Sequence, residues 1–174
     1  MTINVELLRR TLEYITEHPE QHDQSIWARI HVKESCGTAM CLCGWAATLA
    51  KAEMTWRAFK DYRTGEVVFR ELERINGEEP YYGGRDLLGL TEDQAEDLFF
   101  DENSLALLWA MAELYTEGEI RMPRLVYEAE LTRIAQAQDE PADFAWEEAG
   151  DRLYLPFPEG WQPAVAAEFP DAAQ

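Results

Sequence analysis

Cys36-Gly37-Thr38-Ala39-Met40-Cys41-Leu42-Cys43-Gly44-Trp45-Ala46-Ala47 holds all three cysteines of this 174-residue chain. Small residues alternate there with large apolar ones. Thr38 is suited to cap a helix N-terminus, and the residues after it predict a helix over 38–51. On that helix Met40, Cys41, Leu42, Trp45, Ala46, Leu49 and Ala50 would cover every face. A helix apolar all round is buried on all sides. Gly44 costs about 1 kcal/mol against alanine in a helix interior, so close packing of a neighbouring backbone is expected there. The fold class that follows is mainly α. It is a single helical domain around a buried central helix, with at most a small β-hairpin near residues 56–70.

The flanking sequence extends the helical reading. Leu7, Leu8, Leu12 and Ile15 recur at helical spacing over 4–17, and Pro19 closes that helix. Residues 20–35 read as a connector, with Ile26, Trp27 and Ile30 as anchors. Arg63-Thr64-Gly65 lies between two β-prone runs, which suggests the hairpin; a helix over 69–76 competes with it. Residues 76–84 read as a loop, followed by a short helix over 85–90. Thr91 and Gln94 have capping-box spacing for the next helix. Asn103 or Ser104 caps a helix over 105–117, which Gly118 ends, and Pro123 opens one running to about 138. A last short helix is expected over 141–149. The helical domain spans 1–155. Residues 156–174 form a Pro-rich acidic tail, partly docked through Phe157 and Trp161.

The formal net charge is −19 and it is unevenly placed. Residues 1–90 carry 14 acids and 11 Lys or Arg, whereas residues 91–174 carry 20 acids and only Arg121, Arg124, Arg133 and Arg152. Direct nucleic-acid binding needs clustered cations to neutralise phosphates, and anionic membranes are disfavoured likewise. A basic protein surface is the favoured partner. No apolar run approaches the ~20 residues of a membrane span, and the N-terminus has no basic-then-apolar leader pattern. Three cysteines within eight residues do not make a secreted disulfide framework. The expected location is the cytoplasm.

Three readings compete for the thiols. Buried cysteines are mostly inert small hydrophobes, which suits Cys41 and Cys43. Cys36, at a helix mouth, could be a nucleophile with His31 as its base; His18, His22 and His31 all precede it, an unusual order. His31, Cys36, Cys41 and Cys43 could instead ligate zinc. Cys41 and Cys43 on one helix would, however, point about 200° apart. No cofactor is implied.

Cys36, Gly37, Thr38, Cys41, Gly44, Trp45 and Ala46 make a Cys-Gly-Thr-x-x-Cys-x-x-Gly-Trp-Ala element, with Trp27 upstream. Leu88-Gly89-Leu90-Thr91 leads on to Leu98-Phe99. In these elements the chain resembles a group of uncharacterised actinobacterial and phage proteins, over residues 18–100. The resemblance implies a shared core and a phage origin, and carries no activity. Cys43 stands where the group usually has a small residue, which weakens the zinc reading.

The acids after Leu90 form the other candidate site. Glu92, Asp93, Glu96, Asp97, Asp101 and Glu102 recur at helical spacing, where carboxylates lie ~5–6 Å apart. That is close to the phosphate spacing of one nucleic-acid strand. Like-charge pairs four residues apart cost about 0.2–0.5 kcal/mol each, which an ordinary domain tolerates. No calcium loop, phosphate-binding glycine loop, nucleophile elbow or His-Glu-x-x-His is present. The expected function is an acidic interaction protein, phage-encoded, that binds a basic host surface as a DNA mimic. The rivals are a Cys36–His31 enzyme and a structural zinc protein.

Overall fold

The computed structural model describes residues 2–32 and 38–139, with backbone alone for 134–139. The chain divides into two compact units, Met1–Asn103 and Ser104–Gln174. Cys36, the helix expected over 141–149 and the tail over 156–174 lie outside the described residues.

The first unit overturns the mainly α, all-helical expectation. It contains a four-stranded antiparallel sheet, so the fold is mixed α/β. Its strands are β1 (Ala28–His31), β2 (Thr38–Met40), β3 (Met54–Lys60) and β4 (Val67–Ile75), in the spatial order β2-β1-β4-β3. Two of them lie where helix or connector was expected. Thr38–Met40 does not begin the central helix. It pairs with β1, Ala28 opposite Met40 and Ile30 opposite Thr38. The hairpin was anticipated, but β4 runs through Ile75 and excludes the competing helix over 69–76.

One face of the sheet explains part of this difference. Side chains alternate across a strand, and one face here carries charged and aromatic pairs in place of a plain polar pattern. Arg29 Nε donates to Glu71 Oε1 at 3.1 Å, and Arg57 Nη2 to Glu73 Oε1 at 3.3 Å. The Phe59 and Phe69 rings stack at 4.7 Å between centroids, and the Arg29 guanidinium lies 4.9 Å from the Phe69 centroid. Cross-strand pairs of this kind contribute about 0.2–1 kcal/mol each.

Helices pack beside the sheet, chiefly against β4 and β2. Helix α1 (Val5–Glu17) buries Leu7, Leu8, Thr11, Leu12 and Ile15, as its spacing predicts, and Asn4 caps it by accepting from Leu7 N at 3.2 Å. Helix α2 (Leu42–Leu49) is the buried central helix, shorter than expected; its first six residues are all buried. Gly44 meets the close packing that its position calls for. A Cβ there would lie 2.1 Å from the Trp27 carbonyl oxygen.

Helix α3 (Pro80–Leu88) starts five residues before the expected 85–90 helix. Proline at the first position loses no hydrogen bond there. Gly83 and Gly84, which read as loop residues, are helical, and both must be glycine because Ile75 and Cys43 occupy the space a side chain would need. Helix α4 (Glu92–Leu98) has the full capping box: Thr91 Oγ1 accepts from Gln94 N at 3.3 Å, and Gln94 Oε1 from Thr91 N at 3.0 Å.

The second unit holds α5 (Leu105–Tyr115) and α6 (Arg124–Asp139). Ser104 caps α5 by accepting from Leu107 N at 3.2 Å, and Gly118 takes a positive φ beyond its end. Buried Glu113 accepts from Met122 N at 3.0 Å, which ties the turn between the helices to α5. Glu130, also buried, accepts from Arg133 Nε at 3.0 Å. Among the described residues no helix is long and apolar enough to cross a membrane.

Candidate functional site

Two sites lie in the first unit, the mouth of α2 and the acidic face of α4. At the mouth, Cys41 is the N-cap residue, with extended backbone (φ −75°, ψ −179°), and Cys43 is the second residue of the helix. The expectation that both lie on one helix is thus corrected, since only Cys43 is helical. Cys41 lies outside the helical register, and the two buried thiols influence each other's titration. Both are free and buried. Cys41 Sγ lies 3.5 Å from the Trp27 carbonyl oxygen, and Cys43 Sγ 3.1 Å from that of Pro80.

The two sulfurs are electrostatically unlike. Burial raises the Cys41 pKa, but hydrogen bonding from Cys43 and from the backbone N–H groups of the first turn outweighs it, so this thiol sits below its ordinary value. The bond to Cys41 and burial push Cys43 well above its own. Trp27 and Pro80, whose carbonyls meet these thiols, each also line a shallow recess. One, of about 170 Å³, lies between Ser25–Ala28 and Glu71-Leu72. The other, of about 290 Å³, is bordered by Arg57, Glu71, Glu73 and Glu79.

Gln24, a residue with no signal in the sequence, organises this mouth. It is buried; its Oε1 accepts from Leu42 N at 3.1 Å and its Nε2 donates to Leu98 O at 3.0 Å. His22 Nε2 lies 3.1 Å from the same Oε1. Burial lowers the His22 pKa, against the raising effects of Gln24 and Asp23.

His31 stands on β1 opposite Phe69, its ring 5.8 Å from that phenyl ring. Among the described residues no three His, Cys, Asp or Glu side chains gather as metal ligands. His31, Cys41 and Cys43 thus form no such group, and Cys36, partner of His31 in the enzyme reading, lies outside the described residues.

The acidic candidates are all at the surface. Glu92, Asp93, Glu96 and Asp97 are exposed on α4, and Asp101 and Glu102 are exposed just after it, while Ala95 and Leu98 face inward. Arg85 Nη1 reaches Glu92 Oε2 at 2.7 Å, and its Nη2 reaches Asp86 at 2.9 Å. The Tyr81 hydroxyl donates to Glu92 O at 3.3 Å. Its pKa is raised, first by burial and then by the charges of Glu92 and Glu96. No family model, curated protein or solved structure matches the chain.

Proposed function

We propose that this is an acidic interaction protein, phage-encoded and acting in the cytoplasm, that docks the carboxylates of α4 on a basic host protein surface as a mimic of DNA. What carries the reading is that all six of Glu92, Asp93, Glu96, Asp97, Asp101 and Glu102 are exposed, on and just after one capped helix. The helix is held in place by its capping box and by the Gln24 bond at its C-terminal end. A rigid row of like charges loses little conformational freedom on binding. Clustered charge of one sign also accelerates encounter with an oppositely charged partner.

The test is capture of basic proteins from a bacterial lysate on the immobilised full chain. Capture at low ionic strength should fall steeply as salt shortens the Debye length from ~30 Å at 0.01 M to ~10 Å at 0.1 M. Duplex DNA should compete. Asp93→Asn, Glu96→Gln, Asp101→Asn and Glu102→Gln combined should lower the association rate of the captured protein by about tenfold or more. Binding that is flat in salt and indifferent to DNA would exclude the mimic.

A further inference from the structure

We propose that Cys41 and Cys43 form an oxidisable dithiol, a two-electron redox centre at the mouth of α2. The geometry permits the bond. Leu42 between them is helical, which sets the two Cα atoms about 5.4 Å apart by helix radius and rise. That is inside the ~4.4–6.8 Å range of disulfides. Cys41 stands at the N-cap with extended backbone, and a single residue separates it from Cys43. Gly84 of the neighbouring helix leaves the space that the Cys43 sulfur occupies.

The sulfurs are also prepared for different roles. Cys41 is the readier thiolate, held by the N–H groups of the first turn and by the positive end of the helix. Cys43 stays protonated beside it. With glutathione disulfide as oxidant, the Cys41 thiolate attacks one glutathione sulfur. The S–S bond breaks and the first glutathione leaves as a thiolate. Cys43 then loses its proton and attacks Cys41 Sγ, forming the Cys41–Cys43 bond and expelling the second glutathione. Two electrons pass from the cysteines to glutathione disulfide, and two glutathione thiols result.

Cys41 is 1% exposed and Cys43 0%, so exchange must go through a local opening. The three-residue edge strand β2, which leads directly into Cys41, is the element to lift. Oxidation removes both S–H groups, and with them the thiol contacts to the Trp27 and Pro80 carbonyls.

The experiment equilibrates the folded full chain, carrying Cys36→Ser, with excess glutathione disulfide, then alkylates it and maps peptides without reduction. The expected product has lost two hydrogens, carries a 41–43 cross-link, and returns to the dithiol with dithiothreitol. Cys43→Ser should accumulate glutathione at Cys41, severalfold faster than Cys41→Ser accumulates it at Cys43. A chain that keeps both thiols free under native conditions, or stops at a single glutathione adduct, overturns the proposal. The mapping of the Cys36→Ser chain stands even if the Cys41 and Cys43 variants fail to fold.

Discussion

Gly84 of α3 and Cys43 of α2 compete for one space: a Cβ on Gly84 would stand 2.2 Å from the Cys43 sulfur and 3.2 Å from its Cβ. Gly84→Ala should therefore destabilise the protein by about 1–3 kcal/mol, the usual cost of overpacking. Cys43→Ala should recover part of that loss, because it removes the obstructing atom. Urea unfolding of the two single variants and the double variant gives the coupling, expected at about 0.5 kcal/mol or more. Additive losses would mean that the two residues do not share the space.

Gly44 meets a different obstacle. The atom in its way is the Trp27 carbonyl oxygen, 2.1 Å from the position of a Cβ. Backbone yields less readily than a side chain. Gly44→Ala should cost more than Gly84→Ala in the same urea measurement, and no substitution of the Trp27 side chain should rescue it.

Gln24→Ala should cost about 2–4 kcal/mol. It leaves the Leu42 N–H and the Leu98 carbonyl without their partner, and an unsatisfied buried group costs about 1–3 kcal/mol. Gln24→Glu keeps the acceptor and loses the donor, so its Tm should fall between those of the other two. A Gln24→Ala chain as stable as the original would show that the amide is replaceable by water.

His22 makes stability depend on pH just below neutrality. Burial holds its folded pKa below the ordinary 6.5. Between those two values the unfolded chain binds a proton that the folded chain does not. Stability therefore falls as pH drops through 6.5 and levels once the folded imidazole protonates. His22→Gln should flatten this window. Asp23 acts lower down. Its pKa is held below 3.8 by the Ser25 hydroxyl, with burial opposing, so its contribution is lost only as pH falls below that value. Acid also relieves the self-repulsion of a −19 chain. The comparison is therefore between variant and original at each pH, by denaturant midpoint.

Helices with complete local signals were legible in the sequence. Helix α1 announces itself through Leu7, Leu8, Leu12 and Ile15, α4 through Thr91 and Gln94, and α5 through Ser104 and Gly118. The turn at Thr64-Gly65 was legible for the same reason, since its geometry is local. Strands β1 and β2 were not. Four and three residues are too few to display a period of two, and Thr38 satisfies a cap preference as readily as a strand preference. Their hydrogen bonds exist only because Ala28 and Met40 meet from different parts of the chain. The acidic surface could be read because exposure is the default for carboxylates. The separation of Cys41 from the helix that holds Cys43 could not, because it depends on where α2 begins, and a strand residue settles that. Gln24 was invisible because nothing local marks a buried glutamine.

The Gln24 amide has one further consequence. It holds the first turn of α2 by a nitrogen and the last turn of α4 by a carbonyl, so the thiols and the carboxylates hang from one hinge pin. A basic protein pressing on Asp93 and Glu96 would load that pin, and slower hydrogen exchange at the Leu42 amide would register it. Cutting the pin by Gln24→Ala would in turn leave the acidic row less firmly aimed.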